Sequence, residues 1–201
     1  MPKHPRWLLI LSTAMFALCA CSSESFGGQV IFGSDRDGDA EIFVMDSDGS
    51  GVRQLTKNEV RDFDPAWSPD GQKVVFISHR DGDSAIFVMG ADGSAEQRLT
   101  DSGLGTGSDD GPAWSPDGEK VAFFSDRDGD SEIFVMDADG SGVRQLTENS
   151  DLDLYPLWSP DGEKIAFFSD RDGTFSMFVM NADGSEAAAS GQSDLWFDWL
   201  D

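Results

Sequence analysis

Cysteine is nearly missing from this chain. Its two copies, Cys19 and Cys21, both fall within the first 21 residues, so nothing downstream forms a disulfide framework or a thiolate metal centre. Stability has to come from packing. Basic residues are scarce too: 14 Lys and Arg stand against 38 Asp and Glu, a net charge of -24. Phosphate backbones are held by clustered Lys and Arg, so this balance excludes nucleic acid as a partner and favours cations and basic proteins. Histidine is limited to His4 and His79, and no Gly-x-Ser-x-Gly elbow is present. No nucleophile elbow is therefore paired with a histidine as a Ser-His-Asp centre requires, and the chain reads as non-enzymatic. Long hydrophobic runs are also lacking. The apolar stretch 7–18 is too short to cross a bilayer as a helix, and elsewhere Gly or Pro interrupts nearly every window in which helical periodicity could build.

What the N-terminus does contain is Lys3 and Arg6 followed by that apolar stretch, the form of a signal peptide. The junction Leu18-Cys19-Ala20-Cys21 resembles the lipobox of bacterial lipoproteins. The resemblance implies a signal over residues 1–20, lipidation at Cys21 and a short linker over 21–28. It also implies an extracytoplasmic lipoprotein of the periplasm or cell surface, touching the membrane only through its anchor.

The rest of the chain repeats itself. VIFGSDRDGDAEIFVMDSDGSGVRQLT from Val30 returns in near copies from Val74, Val121 and Ile165. The equivalent residues Arg36, Arg80, Arg127 and Arg171 lie 44, 47 and 44 residues apart, the three extra residues falling in the loop 101–111. WSPDG closes the copies at 67–71, 114–118 and 158–162. Such a period marks a stack of supersecondary units. Each unit holds four short runs rich in Val, Ile, Phe and Trp, labelled a (PAW), b (KVAFFS), c (EIFVM) and d (VRQLT), separated by Asp-Gly and Pro-Asp-Gly turns. These runs predict a four-stranded antiparallel meander. The b and c runs are apolar on both faces, which suits sheets stacked face to face.

Trp-Ser-Pro-Asp-Gly, an apolar strand, Ser-Asp-Arg-Asp-Gly, a second strand ending in Val-Met, then Gln-Leu-Thr: this order resembles the TolB-type, WD-repeat-like β-propeller. The resemblance implies an all-β, four-bladed β-propeller over residues 29–201, with repeats at about 29–71, 72–118, 119–162 and 163–201. The chain enters at strand b of its first blade, while 195–200 (LWFDWL) resembles the a segment, with Trp199 the fourth equivalent of Trp67, Trp114 and Trp158. The C-terminal strand is thus expected to join the N-terminal blade and close the ring, which removes a free edge. Propellers of this type usually have six or more blades, and the last copy lacks its Gln-Leu-Thr strand. A homodimer of open half-rings is the rival reading.

Residues that break the repeat are the better candidates for function, because packing does not require them. They gather in the d-to-a loops 57–64, 101–111 and 148–155, where Asp109, Asp110, Asp151, Asp153 and Tyr155 predict an acidic binding face with one aromatic. A protein partner is expected there. His79, in place of an Asp, is expected to be exposed. The clusters Asp35, Asp37, Asp39 and Asp126, Asp128, Asp130 space carboxylates around a Gly turn, as the start of a calcium loop does, but lack its later Gly and its Glu at position twelve. They read first as stiffened turns, with calcium the alternative and no other cofactor implied. The repeated Trp residues and Met45, Met89, Met136 and Met180 read as core. The resemblance to TolB implies envelope protein interactions. TolB proteins also carry an α/β domain ahead of the propeller, and only residues 22–29 precede the first strand here, so the resemblance carries the fold and not the pathway.

Overall fold

A computed structural model describes residues 26–36, 38–101 and 107–190. Cys21, Asp37 and the expected closing strand around Trp199 lie outside them. The described residues hold fifteen strands and no helix. The first sheet is β1 (Gln29–Ser34), β2 (Glu41–Asp46) and β3 (Arg53–Gln54). The second is β4 (Asp62–Trp67), β5 (Lys73–Ser78), β6 (Ala85–Gly90) and β7 (Gln97–Arg98). The third is β8 (Asp109–Trp114), β9 (Lys120–Ser125), β10 (Glu132–Asp137) and β11 (Arg144–Gln145). The fourth is β12 (Asp153–Trp158), β13 (Lys164–Ser169), β14 (Ser176–Asn181) and β15 (Ala188–Ala189). Every pairing is antiparallel between sequence neighbours, so each sheet is a meander and a blade of the propeller. The first blade has no innermost strand among the described residues.

Why these runs form blades is visible in their burial. Val75, Phe76 and Ile77 in β5 and Ile86, Phe87 and Val88 in β6 are buried on both faces, because each face packs against a neighbouring sheet. Three cores result, one at each joint between successive blades. Ile31, Ile42 and Val44 of the first blade meet Trp67, Val74 and Phe76 of the second, and the second and third joints repeat the arrangement. Phe76, Phe123 and Phe167 are fully enclosed, each contributing roughly 2–3 kcal/mol of apolar burial. Trp67 and Trp158 lie in these cores and Trp114 packs against one, as the repeated Trp residues were expected to do.

Outer strands are shorter than the Val-Arg-Gln-Leu-Thr pattern predicts. Only two residues of each pair before the chain turns inward, where Leu55, Leu99 and Leu146 donate their N–H to Ile42, Ile86 and Ile133. The last copy keeps its outer strand, contrary to expectation. Ala188 and Ala189 pair with Val179 and Phe178, because a two-residue ladder needs backbone groups and not the lost side chains. One close approach recurs at every joint. A Cβ on Gly93, Gly140 or Gly184 would sit 2.9, 2.7 or 2.9 Å from the carbonyl oxygen of Leu55, Leu99 or Leu146 in the preceding blade. Their counterpart in the first blade, Gly49, meets nothing within 4 Å among the described residues.

Candidate functional site: the loop end of the blades

The two ends of the propeller differ. At one, the Trp-Ser-Pro-Asp-Gly turns are the same in each of the three complete blades. Ser68, Ser115 and Ser159 donate to Asp70, Asp117 and Asp161 at 2.6, 2.5 and 2.6 Å, and the hydroxyl and the N–H two residues on hold each carboxyl below its ordinary value. At the other end the b-to-c turns meet the d-to-a loops. The N–H of His79 donates to the Arg61 carbonyl at 3.1 Å, while the carboxylates of Asp126 and Asp170 accept from the N–H of Ser108 and Leu152 at 2.6 and 2.8 Å.

Beneath this loop end each blade carries one polar unit. The Nε–H of Arg36, Arg80, Arg127 and Arg171 donates to Ser34, Ser78, Ser125 and Ser169 at 3.0, 2.8, 3.0 and 2.9 Å. Each guanidinium lies over the Phe of strand c, with Phe43, Phe87, Phe134 and Phe178 at 4.6, 4.5, 4.8 and 4.6 Å. In the second, third and fourth blades it is also paired with the first residue of strand a, Asp62, Asp109 or Asp153, at 3.0, 2.5 and 2.7 Å. All three carboxylates are fully enclosed. A buried charge is tolerated where it is paired, and here one guanidinium nitrogen supplies the pair through a single carboxylate oxygen.

Joints between blades add a second network, and it comes in two forms. At the first joint the buried Glu41 accepts from the Thr56 hydroxyl and from the N–H of Asn58 at 2.7 Å, and Asn58 donates to Asp62 at 2.7 Å. The third joint repeats this with Glu132, Thr147, Asn149 and Asp153. Burial pushes Glu132 up to about 7, against the pull of Thr147 and Asn149 and with the help of nearby Asp153, and it raises Glu41 in the same way. The middle joint has Ala85 where the glutamates stand. There Ser84 donates to Asp110 at 2.6 Å instead, and the Trp114 indole donates to the Ala66 carbonyl at 3.3 Å.

Three of the residues named from the sequence lie at the loop end, each with its own partner. Asp110 is half-buried, its carboxyl raised by burial against the opposing pull of Ser84 and His79. Asp151 is half-buried, its N–H donating to the Asn149 side chain at 2.8 Å. Tyr155 takes the left-handed conformation at φ 53, beside the bulge in β12, and its ring lies 5.0 Å from Phe124. Asp109 and Asp153 are placed differently: they are the enclosed partners of Arg127 and Arg171, one step below the face, because strand a begins with them pointing inward. His79 is half-buried, edge-on to Phe63 at 5.2 Å, and not exposed as expected. Of the turn carboxylates, Asp35, Asp126 and Asp128 are exposed and Asp39 and Asp130 half-buried. Among the described residues no three acidic, His or Cys side chains gather closely enough to hold a metal ion.

Sequence reasoning gave Glu41 and Glu132 no role. A signal was present: Glu appears in strand c only where Asn follows two residues after the Gln-Leu-Thr threonine, as in 56–58 and 147–149, whereas Ala85 accompanies Thr100-Asp101-Ser102.

A family model described as the TolB beta propeller domain matches residues 19–109 and 102–196. The Tol-Pal system protein TolB of Geobacter metallireducens is 46% identical over 48 residues, 24% of this chain and 11% of that protein. A solved structure of putative TolB from Agrobacterium tumefaciens superposes with a TM-score of 0.73 at 31% identity, covering 81% of this chain and 61% of that one. TolB from Acinetobacter baumannii superposes with a TM-score of 0.70 at 23% identity over 90% of this chain and 45% of that one, a likeness of fold alone. The chain thus spans less than two thirds of the length of each of these relatives.

Proposed function

Because the chain belongs to the TolB β-propeller domain family, we propose that it is a non-enzymatic binding scaffold of the bacterial cell envelope, held to a membrane through Cys21 and presenting its loop end to a protein partner. The observation that carries this reading is the contrast between the two ends. The Trp-Ser-Pro-Asp-Gly end repeats one geometry in every complete blade. The loop end places a different set of side chains in each: Phe63 with His79, Asp110 with Ser84, Tyr155 with Phe124. Variation superposed on a rigid repeat is what a binding surface needs and packing does not.

The partner's chemistry follows from the charge. With Asp110 and Asp151 on the face and a net charge of -24 on the chain, the complementary surface is basic, carrying Lys or Arg beside an apolar group that seats against Tyr155. The Geobacter metallireducens relative is a Tol-Pal system protein, which supports an envelope protein as the partner. Cross-linking in envelope preparations tests this. Reversing charge at the loop end (Asp110→Lys with Asp151→Lys) removes the cross-linked partner, and reversing it at the other end (Asp117→Lys with Asp161→Lys) leaves it. Equal loss from both pairs would reduce the interaction to bulk acidity.

A further inference from the structure

The first blade is complete in every respect but one. Arg36 is held by Ser34 at 3.0 Å and lies 4.6 Å from Phe43, matching the other three arginines within 0.2 Å for both contacts. Yet among the described residues it has no carboxylate, and the edge of β1 has no partner strand. In the complete blades the missing group comes from strand a in one fixed register. Asp62, Asp109 and Asp153 stand opposite Ser78, Ser125 and Ser169, and Trp67, Trp114 and Trp158 opposite Val74, Val121 and Ile165. The aspartate therefore always precedes its tryptophan by five residues. That spacing occurs once more in the chain, at Asp194 and Trp199, and at no other tryptophan. Laid on β1 in the same register, Asp194 falls opposite Ser34, within reach of Arg36, and Trp199 opposite Val30.

The distance the chain must cover decides whose tail fills the edge. Between the outer strand of one blade and the inner strand of the next lie seven residues (55–61), ten (99–108) and seven (146–152). Between Ala189 and Asp194 lie four, and the first of them, Ser190, is still tied to Met177 by its N–H at 2.9 Å. The link is shorter than the shortest internal one by three residues, about 10 Å of reach. It would also have to cross a joint that the described residues leave open, since Gly49 meets nothing within 4 Å among them where Gly93, Gly140 and Gly184 touch the preceding blade. Short hinges drive strand exchange between copies.

We propose that the β1 edge is a strand-addition site filled by residues 194–199 of a second copy of this chain, with Asp194 of each copy paired to Arg36 of the other. The exchange supplies the missing ion pair and covers both free edges at once. It does not depend on what the loop end binds.

Complementation between chains tests it. Arg36→Glu and Asp194→Arg, each alone in the full chain, lower the melting temperature by roughly 5–10 °C, since each leaves a like-charged pair in the blade. Refolded together, the two variants form a mixed pair in which one site is native and the other charge-reversed. The mixture regains at least half of the loss, and native mass spectrometry shows particles of two chains containing one of each. Inserting three residues after Ser190 restores the internal link length and shifts the native chain from two-chain to one-chain particles. A native chain of one-chain mass, recovering only when both changes sit in the same molecule, would overturn the exchange in favour of the chain's own tail. Losses that add in every combination would overturn the pairing itself.

Discussion

Glu132 offers the sharpest test of the joint networks. Its side chain is 2% exposed, accepts from Thr147 and Asn149, and faces Asp153 across the Asn149 amide. Burial first, then Asp153, raises it from 4.5 to about 7. Between those two values the folded chain holds a proton that the unfolded chain releases, so folding is favoured by acid. Stability from this group is fully present below about pH 4.5 and is lost as pH rises towards 7. At ~1.4 kcal/mol for each tenfold change in proton affinity, the loss is ~3 kcal/mol. For a domain of this length that corresponds to about 6–12 °C of melting temperature. The rest of the acidic surface moves the same way, because the net charge of -24 repels itself more fully at neutral pH. A comparison with Glu132→Gln removes that background. Glutamine is the neutral shape of the protonated acid, so melting curves recorded from pH 4.5 to 8 should converge at the acid end and separate towards neutrality, the native chain falling more steeply. Parallel curves across the range would show that Glu132 stays ionised throughout and that the account of the joint is wrong.

Two further outcomes follow from geometry already given. Arg127→Met strands the fully enclosed Asp109 without its cationic partner and costs about 3–5 kcal/mol, read by urea titration, whereas the exposed pair of Lys120 with Asp137 is worth under about 1 kcal/mol to Lys120→Met. Gly140→Ala pushes a methyl towards the Leu99 carbonyl and lowers the melting temperature well beyond Gly129→Ala, whose Cβ meets nothing within 4 Å although both glycines have positive φ.

How much of this was legible in the sequence depends on what each residue does. Strands b and c were plain, because burial on both faces writes an unbroken apolar run such as Val74-Val75-Phe76-Ile77. The outer strand β15 was not, since its ladder rests on backbone groups that Ala188 and Ala189 share with any residue. The meeting of Asp-Gly turns and variable loops at one end was legible, for it follows from the alternation of hairpins. What individual acids do there was not legible: Asp109 and Asp110 are neighbours in the chain, yet strand alternation sends one to Arg127 and the other to Ser84. Glu132 was hidden for a related reason. A single acid ahead of Ile-Phe-Val-Met looks like the wet end of a strand, and only the threonine and asparagine fifteen and seventeen residues on give it a dry environment.

Two kinds of joint alternate along the chain, glutamate-bridged at the first and third and serine-to-Asp110 at the second. A gene made of such near-identical stretches is prone to lose or gain copies by recombination, and the alternation sets which events leave a sound product. Deleting the second blade would bring Ala40 against Asp110 in place of Ser84, and deleting the third would leave Ser84 facing Leu154. Deleting both together joins Glu41 and Asn58 to Asp153, a junction the molecule already knows how to make. A pair of blades is thus the unit whose removal leaves a joint of a kind already present in the molecule.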